Sequence, residues 1–241
     1  MHDPAPTTQA PRTRAELAAR IDHTLLRPGA TRAQVEALCA EARAHGFASV
    51  CVNPSRVALA RGCLQGQVPV CTVVGFPLGA NRSTVKAAEA RLAALEGADE
   101  LDVVLALGAF KDGDDVGVLA DLRAVVDAAE GRLVKVILEV ALLSLDEVDR
   151  ACGLAVAAGA GFVKTSTGFG PGGATVEAVA RMRAAVGPAI GVKASGGVGD
   201  AATARAMLAA GATRLGASAS LAILRGWDAD GPSHMSGSTG T

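Results

Sequence analysis

The strongest constraint on this chain is an alternation. Short runs rich in β-branched residues recur roughly every 20 to 35 residues, and Ala-rich stretches of helical period fill the gaps. The runs are IDHTLL from Ile21, ASVCVN from Ala48, VPVCTVV from Val68, DELDVVL from Asp99, LVKVILEV from Leu133, FVKTS from Phe162, AIGVKAS from Ala189 and TRLGAS from Thr213. In the gap VGVLADLRAVVDAAE, Val118, Leu119, Leu122, Val125, Val126 and Ala129 recur at helical spacing. Thr31 with Gln34 and Ser144 with Glu147 have the spacing of a capping box. Gly46, Gly97, Gly131, Gly159 and Gly211 stand where helices are expected to end in a left-handed residue. Strands alternating with helices predict parallel βαβ units, and several runs are apolar on both faces, as a sheet covered by helices requires. Eight such units predict a single-domain (β/α)8 TIM barrel over residues 13–227, with disordered tails at 1–12 and 228–241. An open doubly wound sheet is the alternative, but no GxGxxG follows the first strand.

Composition narrows the function. Half of the 241 residues are hydrophobic but only 2% are aromatic, so the core must be built from Ala, Val, Leu and Ile, and no stacking platform for bases is expected. The 23 Lys and Arg balance 24 Asp and Glu, which gives no global pull toward nucleic acid or an anionic membrane. No run of 18 apolar residues occurs, so no membrane span is expected. Cys39, Cys51, Cys63, Cys71 and Cys152 are odd in number and form no CxxC, which reads as buried reduced thiols in a cytoplasmic protein. The four histidines, His2, His23, His45 and His234, have no metal-ligand spacing, so chemistry without metal or cofactor is expected.

The functional signal is charge where a barrel strand should have none. Lys164 ends GAGFVK, Lys193 ends AIGVK, and Glu100 and Asp102 lie within DELDVVL. A charge in a strand is costly unless it is paired or reaches the barrel mouth, and catalytic groups of barrels come from the C-terminal ends of strands. Lys164 and Lys193 hold equivalent places in the sixth and seventh strands, so both would face one mouth. Like charge and desolvation disfavour the protonated amine, and a neutral lysine is the nucleophile of Schiff-base chemistry. Asp102 could then move protons. Lys135 and Glu139 lie four apart in one run and predict a structural ion layer inside the barrel. Asp99 and Glu100, nearer the strand start, read as structural. Gly196-Gly197 and Gly216-Ala217-Ser218 follow the seventh and eighth strands, where barrels often bind phosphate through backbone N–H groups. These residues point to Schiff-base chemistry on a small phosphorylated substrate. Rival readings are Schiff-base chemistry on a different phosphosugar or a keto acid, a phosphosugar isomerase or epimerase without a covalent imine, and a non-catalytic phosphometabolite-binding barrel.

The segments IDHTLL, VCVNP, CTVVGFPLGA, GADELDVVLALGAF, VKVILEVALL, FVKTSTGFG, GVKASGGV and RLGAS together resemble the deoxyribose-phosphate aldolase family, in family order from Ile21 to Ser218. The resemblance implies a metal-free class I lyase on a TIM barrel. Such an enzyme reversibly cleaves 2-deoxy-D-ribose 5-phosphate to acetaldehyde and D-glyceraldehyde 3-phosphate. It implies Lys164 as the Schiff-base lysine, Lys193 as the second lysine that tunes it and assists proton transfer, and Asp102 as the relay carboxylate. Asp22, Thr24 and Thr167 resemble polar groups of the substrate site. Gly168, Gly196, Gly197, Gly216 and Ser218 resemble the phosphate-binding set, and Cys51 a cysteine near the pocket. Gly199 and Ala219 stand where many relatives carry an arginine and a second serine, which thins the expected phosphate site. A homodimer is the oligomer the resemblance implies.

Overall fold

β-Branched side chains favour the pleat, and glycines after most of the helices let the chain reverse into the next strand. In the computed structural model, which describes residues 9–227, each of the eight runs forms a strand. These are β1 (Ile21–Leu25), β2 (Ser49–Val52), β3 (Val70–Val74), β4 (Glu100–Val104), β5 (Leu133–Ile137), β6 (Phe162–Lys164), β7 (Gly191–Ser195) and β8 (Arg214–Ala217). They pair in parallel, in sequence order, and β8 returns to β1 to close the barrel. The helices are α1 (Arg14–Ala18), α2 (Arg32–His45), α3 (Val57–Leu64), α4 (Ser83–Leu95), α5 (Leu107–Lys111), α6 (Asp115–Ala128), α7 (Leu145–Ala157), α8 (Val176–Val186), α9 (Ala201–Ala209) and α10 (Ser220–Trp227). The barrel of the TIM type expected from the alternation is the observed fold.

Local signals act as anticipated. Thr31 and Ser144 cap α2 and α7 in complete capping boxes with Gln34 and Glu147. Gly46, Gly97, Gly131, Gly159 and Gly211 all take positive φ. β5 ends earlier than its apolar run suggests. After β5, Leu138 and Val140 still donate to the carbonyls of Lys164 and Thr165, but Glu139 between them turns left-handed at φ 56° and stops the ladder.

Side chains alternate between the two faces of each strand. The outward set, with Val50, Val103, Val134, Val136, Val163 and Val192, packs against helical residues such as Leu38, Leu122 and Met182 in one continuous core. The inward set contains a small apolar cluster of Leu26, Cys51, Cys71 and Val73, against which Phe76 packs. The same face carries the buried charges Asp22, Glu100, Asp102, Lys135, Lys164 and Lys193, together with Val104, Ile137, Phe162 and Ser195. No helix among the described residues is long and apolar enough to cross a membrane. Of the tails expected to be disordered, residues 1–8 and 228–241 lie outside the described residues. Within 9–12, Pro11 is buried and the Gln9 carbonyl accepts from Arg20.

Candidate active site

Strand register builds the site. Lys164 and Lys193 are direct partners across β6 and β7, and Asp102 is the partner of Lys135 across β4 and β5. All four side chains point inward and meet at the Asp102 carboxylate. Its Oδ2 accepts from Lys164 Nζ at 2.8 Å and from Lys193 Nζ at 2.7 Å. Its Oδ1 accepts from Lys135 Nζ at 2.8 Å. Lys193 Nζ also lies 2.5 Å from Asp22 Oδ2, and Lys135 Nζ lies 2.5 Å from Glu100 Oε2. Arg214 closes the network from β8, 2.7 Å from Asp22 and 3.4 Å from Glu100. Both ammonium groups were expected to face one mouth as like charges; a carboxylate oxygen stands between them.

The electrostatics follow from burial against pairing. Burial would raise the Asp102 carboxyl, but the ammonium groups of Lys135, Lys164 and Lys193 hold it well below the usual carboxylate range. Asp22 is likewise held low against its burial, by Lys193, Arg214 and Lys135. Burial would lower Lys193, yet the carboxylates of Asp102 and Asp22 raise it above an ordinary lysine. Lys135 behaves in the same way, with Asp102 as its chief anion. Among the described residues, four cations (Lys135, Lys164, Lys193, Arg214) thus face three carboxylates (Asp22, Glu100, Asp102) inside the barrel. Lys164 has the sparsest pairing, with Asp102 as its single ion-pair partner, and of the three lysines it is the one that lines the open cavity.

That cavity has a volume of about 660 Å³. Thr24, Thr167, Gly168, Gly196, Gly197, Gly216 and Ser218 line it together with Lys164. Asp22, Asp102 and Lys193 form the buried layer around the Lys164 amine. Gly168, Gly196 and Gly197 have φ of 83°, 82° and 80°, a backbone conformation that residues with a Cβ rarely adopt. Gly216 is glycine for reasons of space: a Cβ there would come within 3.0 Å of both Lys193 Cε and Ser195 Cβ.

Some functional side chains escaped the reading of the sequence. Arg214 sits in the run TRLGAS, and the same rule that singled out Lys164 would have found it. Arg27 lines the cavity and supplies a cation to it, with no sequence signal beyond its place after β1. His23 bonds Ser220 Oγ at 2.9 Å and Glu41 Oε2 at 2.7 Å, tying β1 to the start of α10 and to α2. Glu139 departs from its expected place. It lies beyond the end of β5, not in the ion layer with Lys135, and its Oε2 accepts from the Thr167 hydroxyl at 2.5 Å and the Thr167 N–H at 3.3 Å. Asp99 accepts from the Val70 N–H and pairs with Arg61, outside the cluster.

Among the described residues all five cysteines are free; Cys63 is only partly buried, the other four fully. Burial pushes the Cys39 and Cys152 thiols up to about 12. The Cys51 and Cys71 sulfurs and an Asp102 oxygen lie within 4.8 Å of one another, a spacing that could hold a metal ion. Both Asp102 oxygens are already committed to ammonium groups, which oppose a further cation there.

Comparison with known proteins agrees with this geometry. The family model for the DeoC/LacD family aldolases matches residues 17–227. A deoxyribose-phosphate aldolase of Geobacillus sp. (strain WCH70) is 58% identical over 212 residues, covering 87% of this chain and 95% of the relative. One from Exiguobacterium sibiricum is 58% identical over 216 residues, covering 89% and 98%. Among solved structures, the tetrameric deoxyribose phosphate aldolase of Aeropyrum pernix superposes with a TM-score of 0.85 at 35% identity, covering 90% of this chain and 92% of that one. One lysine open to the barrel mouth, a carboxylate shared by three lysines and these likenesses lead to one assignment: the chain belongs to the DeoC/LacD family of aldolases, which are carbon–carbon lyases.

Proposed function

We propose that this aldolase reversibly cleaves 2-deoxy-D-ribose 5-phosphate to D-glyceraldehyde 3-phosphate and acetaldehyde through a Schiff base on Lys164. The observation that carries the reading is Asp102 Oδ2, bonded at once to Lys164 and Lys193 where only Lys164 opens to the cavity. A neutral Lys164 leaves three cations against three carboxylates, so the interior is electrically balanced when the nucleophile is ready. The amine adds to C1 of the open-chain sugar and water leaves, giving a protonated imine that draws electrons from C2. A water takes the proton of the C3 hydroxyl, with Asp102 as the carboxylate and Lys193 as the ammonium that relay it. The bond that breaks is C2–C3, because only C2 lies alpha to the imine carbon. Its electron pair becomes the enamine, and C3 leaves as the aldehyde of glyceraldehyde 3-phosphate. Protonation of C2 and hydrolysis release acetaldehyde and restore the lysine.

The phosphate falls to the glycine loops at Gly168, Gly196-Gly197 and Gly216–Ser218, with Arg27 as the nearby cation. We place the catalytic unit at residues 13–227, in the cytoplasm, where five free thiols are at home, and in a homo-oligomer. Borohydride added with acetaldehyde tests the chemistry. Intact mass and peptide mapping should find one reduced ethyl group on Lys164. No adduct in protein that still melts cooperatively would overturn the reading.

A further inference from the structure

The mouth of the barrel is lopsided. The residues lining the cavity come from β1, β6, β7 and β8, from the segments that follow these strands and from α2; among the described residues the loops after β2, β3, β4 and β5 contribute none. On that closed side Cys51, Cys71 and Val73 fill the barrel interior, meeting Leu26 at the cavity's edge, and Phe76 packs on the cluster from the loop after β3. Phe169 reaches Phe76 from the loop after β6, three strands round the barrel. The two rings meet edge to face, 5.3 Å apart at 85°. An edge-to-face pair has a fixed geometry as well as apolar area. Asp102 and Lys135, carried by the strands that this bridge spans, are fully buried.

Phe169 is 51% exposed, an unusual place for a large apolar ring, yet its backbone is held. Its N–H donates to Thr167 Oγ1 at 3.0 Å, and that hydroxyl donates to Glu139 Oε2. Gly170 lets the loop lie flat on the same carboxylate, since a Cβ there would come within 2.8 Å of Glu139 Cδ. Glu139 itself is buried and takes the left-handed backbone that ends β5, a conformation a glutamate rarely adopts.

We propose that Phe169, braced by Phe76, is the wall that keeps water from the two-carbon unit on Lys164, and that Glu139 is the positioning residue that sets this wall through Thr167. The inference rests on the Schiff-base reading above. In the bond-forming direction an enamine open to water is consumed unproductively: its CH2 takes a proton from solvent, and the iminium so formed sheds a proton to the relay. In D2O this cycle puts deuterium into the acetaldehyde methyl with no C–C bond made. A wall over one side of the mouth leaves the enamine carbon facing the acceptor aldehyde instead.

The test compares wild type with Phe169→Ala, Phe169→Leu, Glu139→Ala and Glu139→Gln. Far-UV circular dichroism and a melt check folding. Two readouts are taken: borohydride trapping with acetaldehyde, and deuterium entering acetaldehyde per C–C bond formed with an acceptor aldehyde. Phe169→Ala should trap normally, lose roughly tenfold to a hundredfold in kcat, and raise the deuterium ratio by a similar factor. KM for the phosphorylated substrate should stay within about twofold, because the wall binds no phosphate. Phe169→Leu, which keeps much of the volume, should fall between. Glu139→Ala should raise the ratio as Phe169→Ala does, and Glu139→Gln, which keeps an acceptor for Thr167, should restore it. An unchanged ratio in folded Phe169→Ala overturns the wall, even where Lys164 still traps. A Glu139→Ala protein with lower kcat but the wild-type ratio overturns the positioning role. If wild type itself traps nothing, the aldolase reading falls and takes this one with it.

Discussion

The two faces of the same strands hold opposite materials. Outward, Val103, Val136, Val163 and Val192 enter a continuous apolar core with the helices. Inward, one residue along each strand, Asp102, Lys135, Lys164 and Lys193 form a nearly dry ionic lattice with Asp22, Glu100 and Arg214. A layer of valine stabilises by leaving water and by close packing. A layer of buried charge gains little net stability, since desolvation consumes most of the Coulombic gain. The outer face therefore holds the barrel together, and the inner face is kept for chemistry. One contact crosses this division. Lys86, buried between α4 and α6, donates to Asp121 at 2.8 Å and to the Val104 carbonyl at 2.9 Å, so one ion pair belongs to the structural shell.

The sharpest break of the comparison is Lys164→Met. Activity should fall on the order of 10⁴-fold or more, since a nucleophile acting with its partners is lost. Unfolding free energy should move by less than about 1 kcal/mol, because the interior then holds matched numbers of cations and carboxylates. A urea titration beside an aldol assay reads both, and a large loss of stability would contradict the division of labour. Asp102→Asn strikes chemistry and fold together. It leaves three buried ammonium groups without their common anion and should cost about 3–5 kcal/mol as well as most of the activity. Leu122→Ala on the outer face reverses the pattern: about 2–5 kcal/mol should be lost with kcat nearly intact, and a comparable fall in kcat would show that the two layers are coupled.

The smallest effect is a pH dependence. Asp22 and Asp102 are held below the ordinary 3.8, so their stabilisation is present above that value and fades as the pH drops through their lowered ones. Lys135 and Lys193 are held above the ordinary 10.5, so theirs is present below it and fades only as the pH climbs through the raised values. Urea midpoints against pH should therefore show an acid limb beginning below about 4, and Asp102→Asn should shrink it.

The eight strands were legible because their period of two and the intervening helical period are local properties. Lys164, Lys193 and Asp102 were legible because each breaks an apolar strand pattern. Arg214 breaks one too and went unnoticed at the start of a run where charge looks like solvent. Lys86 and Asp121 could not be read, since a helix shows charges on its solvated face as a matter of course and only tertiary packing turns these two inward. Glu139 was placed by counting residues along a strand, and the left-handed turn after Ile137 defeats that count. The Phe76–Phe169 pair joins loops 93 residues apart, a contact that only closure of the barrel creates.

Gly216 carries a consequence of its own. Its missing side chain makes room for the stem of Lys193, while its backbone lies in the cavity wall beside Ser218. One absent methyl group therefore serves the lysine stem and the cavity wall at once. A library that randomises position 216 under selection for cleavage should return glycine almost alone, whereas position 199, where no neighbour crowds the glycine, should drift freely.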